Sequence, residues 1–303
     1  MPLSVLLIKN VHNNGLHLKI KMIEKIAILT DSGSDVPASM MQTHPIFILP
    51  LQVNYKARSY RDGVDIDSKT VLENLKTEVP TTSLPFGEDL THIISTIKAQ
   101  GFTRIVAIIL SSGLSGTFNM VKLHAQESEI PMDVFNTKNI GIGSGLTAIR
   151  AAQWVKEGLS FEELKPKIEA SIHHTKVYFV LSTLEYLIKG GRIGKVSGFL
   201  GTALELKPLI TCDDQGIYTT VAKVRGRQKS IKALQEKVES FYLKDKQYLI
   251  GIAHANAPLE AQELKEKLME VYGDQATYFF SEISPALGVH TGPGLLGVGI
   301  SSL

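Results

Sequence analysis

Short apolar runs that stop abruptly at small polar residues recur through the first half of the chain. Residues 26–29 run into Asp31-Ser32-Gly33-Ser34-Asp35, and residues 46–53 into a polar turn around 58–63. Residues 105–110 enter Ser111-Ser112-Gly113, and Val134-Phe135 enters Asn136-Thr137. Runs this short, closed by turn residues, predict buried strands. Between them, "FGEDLTHIISTIKAQ" places Phe86, Leu90, Ile93, Ile94 and Ile97 on one face of a helix. Strands alternating with amphipathic helices predict an α/β fold: an open, mostly parallel sheet flanked by helices on both faces.

The second half has a different rhythm. "LKPLITCDDQGIYTTVAKVRG" sets Asp213-Asp214-Gln215-Gly216 between two β-rich runs, which predicts a hairpin. A helix over 228–242, the strand "YLIGIAHA", a helix over 259–272, the strand "TYFFSEIS" and a glycine-rich finish follow. This mixture predicts a second α/β domain with a mixed or antiparallel sheet, beginning between 175 and 182. We divide the chain into an N-terminal domain at 22–178 and a C-terminal domain at 179–303. Residues 1–21 carry Lys9, Lys19 and Lys21, no acid, and an apolar run only four residues long, too short for a signal-peptide core. They are expected to be a leader or misassigned start outside the fold, and without them the net charge passes from +2 to −1.

Composition narrows the function. Hydrophobic residues make up 44% and charged residues 20%, the balance of a water-exposed globular chain. With Lys+Arg 32 against Asp+Glu 30, no basic footprint for nucleic acid stands out. The one cysteine, Cys212, leaves no disulfide framework and no multi-cysteine zinc site, and fits a reducing cytoplasmic setting.

Familiar catalytic patterns fail on spacing. A nucleophile elbow needs Gly-x-Ser-x-Gly, and Gly113-Leu114-Ser115-Gly116-Thr117 has its glycine at the wrong offset. "KGGRIGKV" has Lys189 and Val196 where a P-loop needs glycine and a hydroxyl. Gly292-Pro293-Gly294-Leu295-Leu296-Gly297 matches a dinucleotide fingerprint in letters, without room for its helix or its acid. No His-x-x-x-His pair exists among the nine histidines, so no metal is expected.

Four polar sites survive: Asp31-Ser32, Thr81-Thr82-Ser83, Ser111-Ser112 and His290. Loops at the carboxyl edge of a parallel sheet bind ligands, and neutral donors gathered there suit an anion held still. Taken singly, Ser115 or Thr117 also reads as a helix cap, and Thr82 with Ser83 as a turn before Pro85.

The motifs "ILTDSGSDVP", "TTSLP", "ILSSGLSGTFN", "LSTLEYLIKGGRIGK", "LKPLI" and "VHTGPGLLGVG" follow one another along the chain. On these motifs, and in their order, the chain from residue 23 onward resembles the DegV family of bacterial fatty-acid-binding proteins. It implies two α/β domains with a long-chain fatty acid buried between them. It implies carboxylate binding by Thr82, Ser83, the pair Ser111 and Ser112 (Ser112 favoured), and His290. Arg192, in the Gly-Gly-Arg motif, is implied at a surface that meets a partner fatty acid kinase. That kinase carries the ATP site and makes an acyl phosphate, so this chain is expected to present substrate rather than catalyse. The resemblance implies no cofactor beyond the bound acid, no nucleic-acid partner, and leaves room for a transient membrane contact. Residues around 199–209 and 287–298 are expected to line the tail tunnel, with core packing as the alternative. Leu84 stands where the family often has glutamine, and Gly33 where it has threonine or serine. A stand-alone lipid or phosphoryl-transfer enzyme is the alternative function.

Overall fold

Two sheets face one another across a buried helix in the computed structural model, which describes residues 24–199 and 206–303. The leader at 1–21, and the part of the expected tunnel wall at 200–205, lie outside the described residues. The first half runs β1 (Ile26–Asp31), α1 (Ala38–Thr43), β2 (Ile46–Leu49), β3 (Gln52–Asn54), β4 (Ser59–Arg61), α2 (Ser68–Asn74) and β5 (Thr81–Ser83). It continues with α3 (Gly87–Ala99), β6 (Arg104–Ile109), α4 (Thr117–Ala125), β7 (Met132–Asn136), α5 (Gly141–Lys156) and α6 (Phe161–His174). The rest is β8 (Thr175–Val180), α7 (Glu185–Lys189), β9 (Leu209–Cys212), β10 (Tyr218–Ala222), α8 (Arg227–Glu239), β11 (Tyr248–His254), α9 (Pro258–Tyr272), β12 (Ala276–Glu282), α10 (Pro285–Thr291) and β13 (Leu296–Ser302).

Strands β2-β1-β6-β7 form a parallel sheet, and β10-β9-β8-β13-β11-β12 a mixed one. The expected α/β architecture, with a parallel sheet first and a mixed sheet second, is the one observed. Both sheets are covered on both faces, which is why β1 and β6 read as unbroken apolar runs. Ala27, Leu29, Ile105 and Ile109 pack outward under α3 and α4. Ile28, Val106 and Ile108 turn inward to α5, which Val177, Phe179 and Leu249 of the mixed sheet meet from the other side. Helices α8 and α9 close the far face with Leu234, Val238, Leu264 and Leu268.

Helix α5 fits between the sheets because glycine stands at 141, 143 and 145 of its first turns. A Cβ on Gly143 would stand 2.7 Å from Val177 Cβ, and one on Gly145 would stand 2.2 Å from the Ser34 carbonyl oxygen. The core is thereby continuous from one sheet to the other. Strand β8 itself straddles the position 178/179 where the chain was divided.

Pro50 interrupts the run 46–53, so it forms two strands in different sheets. β3 turns away to pair antiparallel with β4 and with β5, giving a small third sheet. Thr82, read as a turn residue before Pro85, therefore sits in a strand opposite Val53. No helix among the described residues is long and apolar enough to cross a membrane.

Candidate functional site

A cavity of about 200 Å3 opens where the loop after β6 meets β5, α10 and the segment after α7. Leu110, Leu114, Ser115 and Gly116 form one wall, with Thr82, Ser83 and Leu84 beside them. Ala286, Leu287, His290 and Thr291 of α10, together with Arg192 and Tyr218, complete it. Its polar centre is a contact of 2.7 Å between Thr82 Oγ1 and His290 Nε2, residues 208 positions apart.

Local sequence explains how His290 arrives there. Ser284 caps α10, its Oγ accepting the Leu287 N–H at 3.4 Å, and Pro285 suits the first helical position. The helix ends one residue after His290, at Thr291, and is followed by Gly292, whose φ of +67 suits glycine. His290 is 8% exposed and its Nδ1 has no hydrogen-bond partner. Burial, and then the positive charge of Arg192, pull the ring's pKa down to about 4, so it is neutral at pH 7. Gly190 leaves the space for it: a Cβ there would stand 2.0 Å from Nδ1. The carbonyl of the same Gly190 accepts from Arg192 Nη1 at 2.7 Å, which holds the guanidinium at the cavity wall.

Deeper in, an apolar compartment of about 30 Å3 shares Ile140, Tyr218, Leu287 and Thr291 with the cavity. Ile142, Val177, Phe179, Ala253, Ile283 and Leu295 line it, and Asp35 is its one acid. Phe179 and Tyr218 meet edge-on with centroids 5.2 Å apart.

The structure brings Thr82, His290 and Arg192 to one cavity. Ser83 lies at its rim, exposed, with Oγ accepting from Asn54 Nδ2 at 3.1 Å. Ser111 and Ser112 do not line it. The Ser111 hydroxyl is fully buried and donates to the Gly216 carbonyl at 2.8 Å, tying the loop to the β9–β10 hairpin. The Ser112 hydroxyl faces outward and accepts from Asn136 Nδ2 at 2.7 Å. The reason is a tight turn: the N–H groups of Leu114 and Ser115 both donate to the Ser111 carbonyl, each at 3.1 Å. That turn delivers Ser115, not Ser111 or Ser112, to the cavity. Ser115 Oγ stands 2.8 Å from Thr117 Oγ1, at the start of α4. Its place at a helix start after a buried strand is visible in the sequence, where it reads as a failed nucleophile elbow or a helix cap rather than as a ligand-binding hydroxyl.

Three acids gather near the end of β1: Asp31 in the strand, Asp35 in the loop that follows, beside Ser32 and Ser34, and Asp62 after β4. Asp31 Oδ2 accepts the Leu110 N–H at 2.8 Å, Asp35 Oδ1 the Ser284 N–H at 2.8 Å, and Asp62 Oδ1 the Ala286 N–H at 3.1 Å. Burial pushes Asp31 up to about 7, Asp62 up to about 6, and Asp35 well above the usual carboxylate range. Among the described residues, no group of three or more His, Cys, Asp or Glu side chains is arranged to hold a metal ion.

A family model described as an uncharacterised protein, DegV family, matches residues 25–303. A DegV domain-containing protein of Clostridium acetobutylicum is 39% identical over 277 residues, covering 91% of this chain and 98% of its own. The structure of a DegV family protein from Thermus thermophilus, described as fatty acid binding, superposes with a TM-score of 0.85 at 28% identity. It covers 92% of this chain and 100% of that one. The B3 protein of the Streptococcus pneumoniae fatty acid kinase, loaded with linoleic acid, shares the fold alone at 23% identity, with a TM-score of 0.78 over 91% of this chain and 99% of its own. The family model and the clostridial relative together settle the matter: this chain belongs to the DegV family.

Proposed function

We propose that the chain binds a long-chain fatty acid and presents its carboxylate to a separate fatty acid kinase in the cytoplasm. The observation that carries this reading is the Thr82–His290 contact on the wall of a cavity whose inner end is apolar. In the tautomer with hydrogen on Nε2, the neutral imidazole donates to Thr82 Oγ1, and the Thr82 hydroxyl hydrogen is free to meet a carboxylate oxygen. The Ser115 hydroxyl is a second neutral donor, and Arg192 supplies the countercharge. Ser83 takes part from the rim. Donors already seated in place replace the water that a buried carboxylate loses.

The tail provides the affinity. Burying ~14 methylenes at ~0.8 kcal/mol each is worth on the order of 11 kcal/mol before entropic costs. The inner compartment has about the volume of one water molecule, so its walls must part to admit a tail. The Thr82 hydroxyl lies within reach of the His290 imidazole, but among the described residues no acid orients the ring through Nδ1, which favours presentation over turnover. Arg192, half-buried on the cavity wall, would meet a partner kinase beside the head group, and lipid exchange calls for transient contact with a membrane. The fatty acid binding described for the Thermus protein and the linoleic acid held by the Streptococcus one support the ligand class, and the latter's kinase supports the partner.

Organic extraction and mass spectrometry of the purified chain are expected to release a long-chain acid; repeated absence of lipid sinks the reading. Incubation with ATP and hexadecanoic acid is expected to yield no acyl phosphate without a kinase partner. Product from the isolated chain would favour the enzyme alternative.

A further inference from the structure

We propose that Asp62 and Asp35 are positioning residues that hold the start of α10, so that the small β4-β3-β5 sheet sets where His290 stands against Thr82. The inference rests on the ligand reading above for its consequence, though not for its geometry.

Helix α10 is fastened at both ends to the same frame. At its start, Asp62 receives the Ala286 N–H, and Asp62 directly follows β4. At its end, His290 meets Thr82, which lies in β5. Both strands flank β3, whose Val53 pairs with Tyr60 on one side and Thr82 on the other. One rigid three-stranded unit thus grips the first turn with a carboxylate and the last turn with a hydroxyl. Ala286 and His290 are four residues apart, about 6 Å along the helix axis, so a shift at one end carries to the other.

The carboxylate is itself fixed. Ser32 Oγ donates to Asp62 Oδ2 at 2.5 Å and accepts the Leu51 N–H at 2.9 Å, immediately before β3. The Asp62 N–H donates to the Leu51 carbonyl at 2.8 Å. Asp35 adds a second hold one residue before the helix, through the Ser284 N–H. It does so from a left-handed backbone, φ +48, a conformation a non-glycine residue adopts at some cost. Asp31, Asp35 and Asp62, which pair with no base among the described residues, serve poorly as a charge cluster. As acceptors for the N–H groups at the start of a helix, two of them have a use.

The test is Asp62→Ala in the full chain, with two readouts. Affinity for hexadecanoic acid is expected to fall about tenfold while affinity for hexadecanol stays within about twofold. The 15N resonance of His290, assigned by its disappearance in His290→Gln, is expected to move, and its titration midpoint to rise from about 4 toward the usual histidine range. Asp62→Asn keeps an acceptor oxygen for Ala286 and is expected to restore both. Ser32→Ala removes one of the two bonds that aim the carboxylate and is expected to move the same signals less, so it decides the matter should Asp62→Ala not fold. An unmoved His290 resonance in the Ala variants, or failure of Asn to restore it, would overturn the proposal. Should the wild-type chain bind neither lipid, the ligand reading falls, and the His290 resonance still decides the positioning role.

Discussion

The loops after β1 and β6 leave neighbouring parallel strands at the same edge, yet they do opposite things. The β6 loop keeps one hydroxyl, Ser115, on the cavity and spends those of Ser111 and Ser112 on tying itself to the β9–β10 hairpin and to Asn136 of β7. The β1 loop keeps its polar groups off the cavity of Thr82 and His290, and spends them on the backbone of Leu110 and of α10. Neutral hydroxyls can face a ligand in either protonation state of their surroundings. Buried carboxylates would repel an anion, and here none of Asp31, Asp35 and Asp62 lines the cavity of Thr82 and His290, though Asp35 borders the inner apolar compartment. The difference teaches that polarity at a switch point is of two kinds, one that touches ligand and one that holds what touches it.

The strongest way to separate the two is pH, because they titrate in opposite directions. His290 is depressed from 6.5 to about 4, so its contribution to stability is present above 6.5 and is lost as pH falls toward 4. That loss amounts to at most about 3 kcal/mol. Asp62 and Asp31 are raised from 3.8 to about 6 and about 7, so their contribution is present below 3.8 and is lost as pH rises through those values. Urea unfolding between pH 4 and 7 is expected to show His290→Gln gaining on the wild type as pH falls. Parallel curves for the two proteins would contradict the buried neutral imidazole.

A smaller effect is expected at Gly190. Its φ of −81 suits alanine, so Gly190→Ala tests space alone. The added methyl would press on His290 Nδ1, costing about 2 kcal/mol and lowering acid affinity while sparing a fatty alcohol. Unchanged binding by titration calorimetry would mean that the ring moves aside without consequence.

The finest test lies within the β6 loop. Ser111→Ala orphans the buried Gly216 carbonyl and is expected to cost about 1–2 kcal/mol of stability with the acid-to-alcohol preference intact. Ser115→Ala is expected to do the reverse, weakening acid binding by about 1 kcal/mol at little cost in stability. Ser112→Ala, exposed, should move both by less than about 0.5 kcal/mol. A loss of acid preference confined to Ser112→Ala would return the head group to that residue.

The layers were legible in the sequence because they follow from runs and periods. The apolar run 26–29 and the face of Leu90, Ile93 and Ile97 each determine a local element, and a buried parallel sheet follows from their alternation. Helix α5 was not read at all, since Gly141, Gly143 and Gly145 argue against a helix locally. Only the approach of two sheets, which no local pattern encodes, makes those glycines favourable there. The cavity was legible in part for the same reason. Thr82 and His290 stood out as polar breaks in apolar sequence, and their contact spans 208 positions that only the tertiary fold brings together. Which serine of "SSGLSG" faces inward depended on two hydrogen bonds to one carbonyl, a turn that several spacings would have permitted. Arg192 was identified through resemblance as a surface group, and the Gly190 carbonyl that draws it to the cavity wall has no signature of its own.

One topological feature bears on how the chain is made. β13, at residues 296–302, is the strand between β8 and β11, so the mixed sheet has no continuous ladder until it arrives. A ribosome-bound chain that ends before it holds two half-sheets, each with an open edge where the other should join. During synthesis the parallel sheet can close early, whereas the mixed one waits for β13, the last of its six strands in chain order. Chaperone capture of the nascent chain should concentrate in that interval.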